Sequence, residues 1–590
     1  MDLASLHILD GLTIGLVIAK VVLMVKTKLP SDIIGLGIVF ILLIAGALPT
    51  EVALGCFSST SVVLVGVLFV LASALVHSGV VQWISRHILG KPRNLTEALF
   101  GIMLPAAGLS AFISSTPVVA LMIHSIKIWA KKIKTAPSKL LMPLSYAATM
   151  GGVCTLIGTT PNLVISDFYT THTDQQMPFL STTVPGLFCL LVGIVTIIVL
   201  QRFLPARKSP EESFESSADY TVELIVPPAS EHIGETVEEA HLDQVNGGHL
   251  IEIVRFDSEV ISPVPKDEFI LGNDHLVYSG QINSILDLKR THGLVNANHL
   301  VFDVKDIEQH KRKLQMATVG TTSPLVGKRM SDIDFEDRHN VVLVAVAREG
   351  ERLPAIPRDV ELRPGDTLLL EGAKLLPENF SGMLNFFDSV ALPQEKYKTF
   401  ISSVIMLGMV TMAALHILPL LNSCLIAVMA MLLFRCLSIE QLQNAINWKL
   451  LMVFGGSVCL GKAMTETGVS QIMSSILAFV SGTNAVVALV ILCILATFTT
   501  EFISSVAAAA IFAPIAMVTA ETLHCNPMTY CVALMISVSS SFVTPIGSET
   551  NTMIYGPGGY RFTDYLKLGF PLTVVILIAN IFITTLVYPL

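Results

Sequence analysis

The residues of this chain best suited to chemistry lie in four short polar segments set inside apolar sequence. "SAFISSTPVVA" begins at Ser110 and "TLIGTTPN" covers residues 155–162, while "TEFISSVAAAA" begins at Thr500 and "TPIGSETN" covers residues 544–551. Glycine, proline, paired hydroxyls and asparagine are poor material for a helix interior. Inside a bilayer such a break leaves N–H and C=O groups that cost several kcal/mol each, unless they are buried in protein or line a watery cavity. The breaks therefore imply a polar site. Helix N-termini at a break offer N–H groups and partial positive charge to an anion, whereas released carbonyls and Ser, Thr or Asn oxygens suit a small hard cation such as sodium. Glu549 adds an ionisable group beside that site, and carboxylates within a membrane are functional candidates by default, here as a cation ligand or a proton carrier, with a structural pairing as the alternative. An ionised Glu549 would repel an anion, so it must be protonated, bound to a cation or turned away. Glu501 and His124 read equally well as hydrogen-bonded packing residues.

The elements that position these residues are membrane helices. The chain has 590 residues, 52% of them hydrophobic and only 14% charged, with a mean hydropathy of +0.68. It is too apolar for an ordinary soluble protein and reads as a polytopic α-helical membrane protein. Apolar runs of spanning or near-spanning length cover 9–25, 32–49, 61–78, 141–165, 183–201, 399–417, 419–434, 449–465 and 568–588. The N-terminus has no basic leader and no small-residue cleavage site, so its first run is expected to be a retained helix. Nine cysteines are scattered singly with no CxxC pair, which fits packed thiols.

The membrane sequence is duplicated. A shift of 389 pairs Glu51 with Glu440, "VVLVG" at 62 with "LMVFG" at 451, and "GVVQWIS" at 79 with "GVSQIMS" at 468. It also lays Thr155, Gly158 and Asn162 on Thr544, Gly547 and Asn551, and a shift of 390 lays Ser114 and Ser115 on Ser504 and Ser505. Basic residues at Arg86, Lys91, Arg93, Lys127 to Lys139, Arg202, Arg207 and Lys208 mark one side, while 45–60 and 165–182 contain no Lys or Arg. By the positive-inside rule that side is cytoplasmic. The hairpin around Ser114 and Ser115 is then re-entrant from the cytoplasm. No Lys or Arg occurs between Lys462 and Arg561, so the hairpin around Ser504 and Ser505 is expected to enter from outside. The expected fold is two inverted repeats, each with a re-entrant hairpin and a broken helix, a layout of secondary transporters.

Charge separates a third region. Residues 206–398 hold 33 of the 46 acidic and 20 of the 37 basic residues, as a water-soluble insert would. "IGETVEEAHLDQVNGGHLIEIVRF…DHLVYSG" recurs after 91–93 residues as "VGKRMSDIDFEDRHNVVLVAVA…DTLLLEG", so two tandem α+β modules are expected. At these residues, and at "RPGDTLLLEG" above all, the insert resembles the TrkA-C (RCK C-terminal) domain. That resemblance implies dimer pairing and an unidentified small ligand or ion. No GxGxxG turn precedes the modules, so NAD binding is not expected. The domains are then 1–205 and 396–590 for the membrane halves, with modules at 210–297 and 304–390.

At the paired hairpin tips, "GTTPN" and "IYGPGGYRFTDYLKLGFPL", the chain resembles the divalent anion:sodium symporter family of dicarboxylate, citrate and sulfate carriers. The resemblance implies a homodimer with an elevator-type motion. It places the substrate at Ser114, Ser115, Thr116, Thr159, Thr160, Pro161, Asn162, Ser504, Ser505, Ser548, Glu549, Thr550 and Asn551. One sodium would use Ser110, Ser114, Ser115 and the Gly158 carbonyl, and a second Thr500, Ser505 and the Gly547 carbonyl. The family's tip asparagines are serines here, the second tip ends in Val506, and Glu549 stands where the family has proline. Sulfate or another small oxyanion is therefore the first expectation and a dicarboxylate the second. The partners are then that anion, sodium or a proton and the lipid bilayer of the plasma membrane, with no cofactor and no nucleic acid.

Other readings are weaker. "GSVCLGKA" at 456–463 nearly spells a phosphate loop, but Ala463 lacks the hydroxyl that would bind magnesium. HExxH and GxSxG are absent, so no enzyme is expected. A gated channel, the rival suggested by the TrkA-C resemblance, would need filter loops such as TVGYG, and none occurs.

Overall fold

The computed structural model describes residues 3–26, 31–80, 83, 92, 94–207 and 396–590, together with 221–228, 230–245, 248–255, 259–262, 264–280, 294–296, 313–320, 323–329, 332, 341–353, 359–372 and 383–386. Arg86, Lys91, Arg93 and Lys208 lie outside the described residues. So does the side chain of His124.

The first half runs through α1 (Leu3–Lys26), α2 (Ser31–Ile44), α3 (Thr50–Phe57), α4 (Thr60–His77), α5 (Leu95–Ser110), α6 (Ser115–Lys132), α7 (Ser138–Gly152), α8 (Thr160–Thr173) and α9 (Thr183–Val199). The second runs through α10 (Lys396–Ala414), α11 (Leu420–Leu433), α12 (Ile439–Ala445), α13 (Trp448–Glu466), α14 (Val469–Val480), α15 (Ala485–Thr500), α16 (Ser505–Thr522), α17 (Pro527–Ser539), α18 (Glu549–Tyr555) and α19 (Phe562–Val587). Bounds correspond closely between halves: α2 and α11 differ by 389 at both ends, α6 and α16 by 390.

Local sequence explains the matched boundaries. Asn94 opens the first hairpin by accepting from Glu97 N at 2.8 Å, and Asn484 opens the second by accepting from Val486 N and Val487 N; both are side-chain N-caps. Each hairpin then turns over four residues, 111–114 and 501–504, before the next helix. The apolar run 141–165 is not one helix. It breaks between α7 and α8, where Gly158 is pressed so close that a Cβ would collide with the Gly152 carbonyl and lie 2.7 Å from that of Ser110. Pro161 then starts α8 at a position where its missing N–H costs nothing.

Two sets of helices pack together, joined where α13 of the first lies on α16 of the second. In one, α13 packs on α2 and α3, α11 on α4 and α10. In the other, α5, α6 and α9 pack on α7, α19 on α9 and α17, and α16 on α17 and α8. The second set holds both hairpins and both breaks. Among the described residues, four helical stretches are long and apolar enough to cross a membrane: 50–77, 397–414, 505–522 and 562–587. The pair Val469–Val480 and Ala485–Thr500 is apolar enough only when taken together and is bent by 119°, as a broken span or a re-entrant loop is. On α19, Phe570, Val574, Ile578, Phe582 and Leu586 form an exposed stripe at a spacing of four, the pattern of a helix facing lipid. This is a multi-pass membrane protein. The phosphate-loop look-alike lies wholly within α13, with no loop to cradle a phosphate. All nine cysteines are free, and eight are buried.

The region between the halves contains two antiparallel sheets. The first comprises β1 (Thr221–Ile225), β2 (Gln244–Val245), β3 (Gly248–Arg255), β4 (Glu259–Ile261), β5 (His275–Gly280) and β6 (Val295–Asn296). The second comprises β7 (Lys313–Val319), β8 (Val342–Arg348), β9 (Glu351–Arg352), β10 (Thr367–Gly372) and β11 (Leu384–Phe386). Their orders agree: β4-β3-β5-β1-β6 in one and β9-β8-β10-β7-β11 in the other. Both sheets carry the same internal lock. Arg255 grips the buried Asp274 at 3.0 Å, and Arg348 grips the buried Asp366 at 2.7 Å. Each carboxylate holds its guanidinium above the usual arginine pKa, as a close opposite charge does.

Candidate functional site

The first hairpin tip and the first break form one cluster. Ser110 Oγ and Ser115 Oγ are 2.6 Å apart, and Ser115 Oγ donates to Ala148 O at 3.2 Å. With Gly158 packed against the Ser110 carbonyl, three of the four residues expected for the first sodium are neighbours. Ser114, the fourth, caps α6 with no side-chain cap bond and lines a cavity with Gly158, Thr160, Phe112 and Leu68. Hydroxyl and carbonyl oxygens are the ligands that a hard cation takes.

Beyond Gly158, the Thr155 hydroxyl donates to Ala111 O and Asn162 Nδ2 donates to Thr155 O at 2.9 Å. Pro161 and Asn162 are buried. Thr159 Oγ1 and Asn162 Oδ1 are buried without a hydrogen-bond partner in the protein. Buried polar atoms are normally paired, so these two oxygens leave the predicted break open to a further partner.

The second tip and break repeat this backbone with different chemistry. Thr544 Oγ1 donates to Glu501 O at 2.9 Å, as Thr155 does to Ala111. Asn551 Nδ2 donates to Thr544 O at 3.1 Å and to Ser541 O at 3.0 Å, as Asn162 does to Thr155. Gly547 packs against the Thr500 carbonyl. The Thr500 side chain, expected as a sodium ligand, instead donates its hydroxyl to Thr497 O, leaving its backbone oxygen toward Gly547. Ser504 is exposed and caps α16 by accepting from Ala507 N, and Ser505 is half-buried as the first residue of that helix.

The halves meet at two places. Thr116 Oγ1 donates to Glu549 Oε2 at 3.0 Å, joining the first tip to the second break. On α7, Ser145 Oγ donates to Asn551 Oδ1 at 2.7 Å and lies 2.9 Å from Thr550 Oγ1. Thr149 Oγ1 is 3.2 Å from the same threonine, which in turn lies 2.8 Å from Ser548 Oγ. Packing is reciprocal, since α6 contacts α18 and α16 contacts α8. Among the described residues no three His, Cys, Asp or Glu side chains form a metal cluster.

Sequence reasoning missed Ser145 and Thr149, and for Glu501 it left a functional role and a hydrogen-bonded packing role open without naming its partners. Ser145 and Thr149 stand four apart on the apolar α7, so one helix face was the available signal. Glu501 accepts from Val543 N at 3.0 Å and Thr544 N at 2.9 Å, partners 42 and 43 residues away that no local pattern reveals.

Comparison with known proteins agrees with this architecture. The family described as CitMHS, citrate transporter, matches residues 21–535. An uncharacterized transporter of Synechocystis sp. is 30% identical over 601 residues, covering 98% of this chain and 97% of that protein. An uncharacterized transporter of Escherichia coli is 26% identical, with 98% of each chain covered. Sodium/sulfate cotransporter 1 of Chlamydomonas reinhardtii is 28% identical over 354 residues, 56% of this chain and 40% of that protein.

Proposed function

This chain belongs to the citrate transporter (CitMHS) family and is a secondary transporter, and we propose that it couples sodium to the uptake of a small oxyanion, sulfate first, by an elevator-type motion of one helix set against the other. The observation that carries this reading is the Thr116–Glu549 hydrogen bond, which closes the first tip on the opposite break. Hydroxyls at Ser114, Thr159, Thr160 and Ser504 supply donors for an oxyanion. Ser110, Ser115 and the nearby carbonyls supply ligands for sodium. Glu549 is exposed toward the site, and two unit charges 4 Å apart interact by about 1 kcal/mol even in bulk water. A dianion therefore enters favourably only when a cation or proton accompanies it, which is a physical basis for symport. The lack of a hydroxyl at Val506 favours sulfate over a dicarboxylate, and the sodium/sulfate cotransporter relative points the same way.

The matched helix bounds support a repeat, and the charge pattern supports its inversion and a cytoplasmic placement of 206–398 in a plasma-membrane protein. The strand orders support two TrkA-C-type modules with a regulatory role, at 210–297 and 304–390, and a homodimer is the assembly that the resemblance favours. The test is uptake of radiolabelled sulfate into proteoliposomes under inward sodium, potassium or choline gradients. Saturable uptake that requires sodium and is competed by excess sulfate is expected. No uptake, together with no thermal stabilisation by sulfate, citrate or succinate in any cation, would overturn it.

A further inference from the structure

Resting on that transport reading, we propose that the second soluble sheet regulates the site through a clasp on the loop after α18, so that the state of β7–β11 sets how freely Glu549 to Asn551 move. The clasp begins at the β8–β9 turn. Glu349 and Gly350 have φ of +53° and +78°, the left-handed pair that a two-residue hairpin takes. From this turn Glu349 Oε1 accepts from Tyr555 Oη at 3.4 Å, and its other oxygen lies 3.9 Å from Arg561 Nε. Glu351 accepts from Arg561 Nη2 at 3.3 Å. Below these side chains the backbones touch. A Cβ on Gly556 would lie 2.7 Å from Gly365 O and 2.7 Å from Thr367 Oγ1, and one on Gly365 would strike the Tyr555 ring. Glycine at both positions is what permits that approach.

The path to the site is short. Tyr555 ends α18 and Glu549 begins it, so about 9 Å of helix, at 1.5 Å per residue, separates the clasp from the carboxylate that meets Thr116. The path into the sheet is equally direct. Glu349 follows Arg348, whose guanidinium holds the buried Asp366, and Asp366 stands between Gly365 and Thr367. The chain that leaves the sheet continues into α10 of the other helix set. The sheet thus bridges both sets, by covalent chain to one and by the clasp to the other, and a shift of one set against the other must carry the clasp along or open it. Arg561, Glu349 and Glu351 are each about half exposed or more. Surface ion pairs of this kind are weak and screened by salt, which suits a contact that opens and closes.

The test uses full-length protein in proteoliposomes, comparing wild type, Arg561→Glu and the charge swap Glu351→Arg with Arg561→Glu; Arg561→Gln replaces the reversal if it fails to express. Two readouts are taken: sulfate uptake, and the labelling rate of an added Thr160→Cys by a membrane-impermeant maleimide, with the same proteins lacking it as background. Breaking the clasp is expected to change the labelling rate by about threefold or more, and the swap to return it to within about 1.5-fold. An unchanged rate in Arg561→Glu, or no restoration by the swap, overturns the clasp. The two ideas fail separately. Labelling that shifts and is restored while no protein takes up sulfate removes the transport reading and keeps the clasp. Sodium-dependent sulfate uptake with constant labelling keeps the transport reading and removes the clasp.

Discussion

The two breaks share a backbone and differ in what their side chains are doing. At each, a threonine hydroxyl ties the break to the hairpin turn, Thr155 to Ala111 O and Thr544 to Glu501 O, and an asparagine reaches back seven residues to that threonine's carbonyl. In the second break more of the polar side chains bond within the protein, although the Ser539 hydroxyl at its start has no partner. Asn551 is held by Ser541, Thr544 and Ser145, and the Glu501 carboxylate occupies two backbone N–H groups. The first break leaves oxygens of Thr159 and Asn162 without partners, and Ala111 stands where the other half has Glu501. The second copy is the more fully hydrogen-bonded of the two, and the first keeps two oxygens open.

The largest effect that would break this contrast is at Glu501. Glu501→Ala strands the Val543 and Thr544 N–H groups in a buried turn, and losing charge-assisted bonds of this kind costs about 3–5 kcal/mol. A marked fall in the thermal midpoint of the detergent-solubilised protein checks it. A midpoint equal to wild type would show that the carboxylate is not structural.

The asparagines come next and should part company. Asn551→Ala removes three hydrogen bonds at a buried position, for about 2–4 kcal/mol, whereas Asn162→Ala removes one, for about 1 kcal/mol. Transport should fall in both, by about tenfold or more, because an ion or solute ligand is lost or displaced. Sulfate uptake measured beside thermal unfolding separates the two. Equal destabilisation would mean that Asn162 is as fully engaged as its counterpart.

That distinction marks where the sequence stops being informative. The duplication at 389–390 and the polar types at the breaks are local and periodic, so both polar turns and the positions of Gly158, Asn162, Gly547 and Asn551 were legible, whereas α16, long and apolar enough to cross a membrane, was not among the apolar runs. The sheet repeat was legible for the same reason, and the second residue of each quoted segment, Gly234 and Gly327, adopts positive φ. Hydrogen-bond direction was not. Whether the Thr500 hydroxyl faces an ion or Thr497 O depends on a rotamer, and whether Asn551 is satisfied depends on Ser145, 406 residues away. Residue type shows that an oxygen is present, and only packing shows whether it is free.

Glu549 is where that freedom matters for coupling. Among the described residues its side chain has one hydrogen bond, from Thr116, so Glu549→Gln, which keeps the shape and the acceptor oxygen, should alter stability by less than about 1 kcal/mol. It should nevertheless flatten the cation dependence of uptake, because the charge that the cation offsets is gone. Initial rates in sodium against choline give the answer. An unchanged ratio would place the coupling ion on the Ser110, Ser115 and Gly158 oxygens alone.

The smallest expected effect sharpens the contrast from the other side. Val506 is the counterpart of Thr116 at a shift of 390, and it sits half-buried in the first turn of α16. Threonine and valine are nearly the same size, and a half-buried helical position tolerates the exchange to within about 0.5 kcal/mol. Val506→Thr therefore tests recognition with little change in stability. The added hydroxyl gives the second tip the donor that the first already has. A second carboxylate, extending from one tip toward the other, would gain a charge-assisted hydrogen bond of about 1.5–3 kcal/mol at most. Succinate should then compete with sulfate more strongly than it does in wild type, with sulfate uptake itself little changed. If succinate competition stays the same, the second tip does not touch the solute, and the asymmetry between the halves extends from the breaks to the tips.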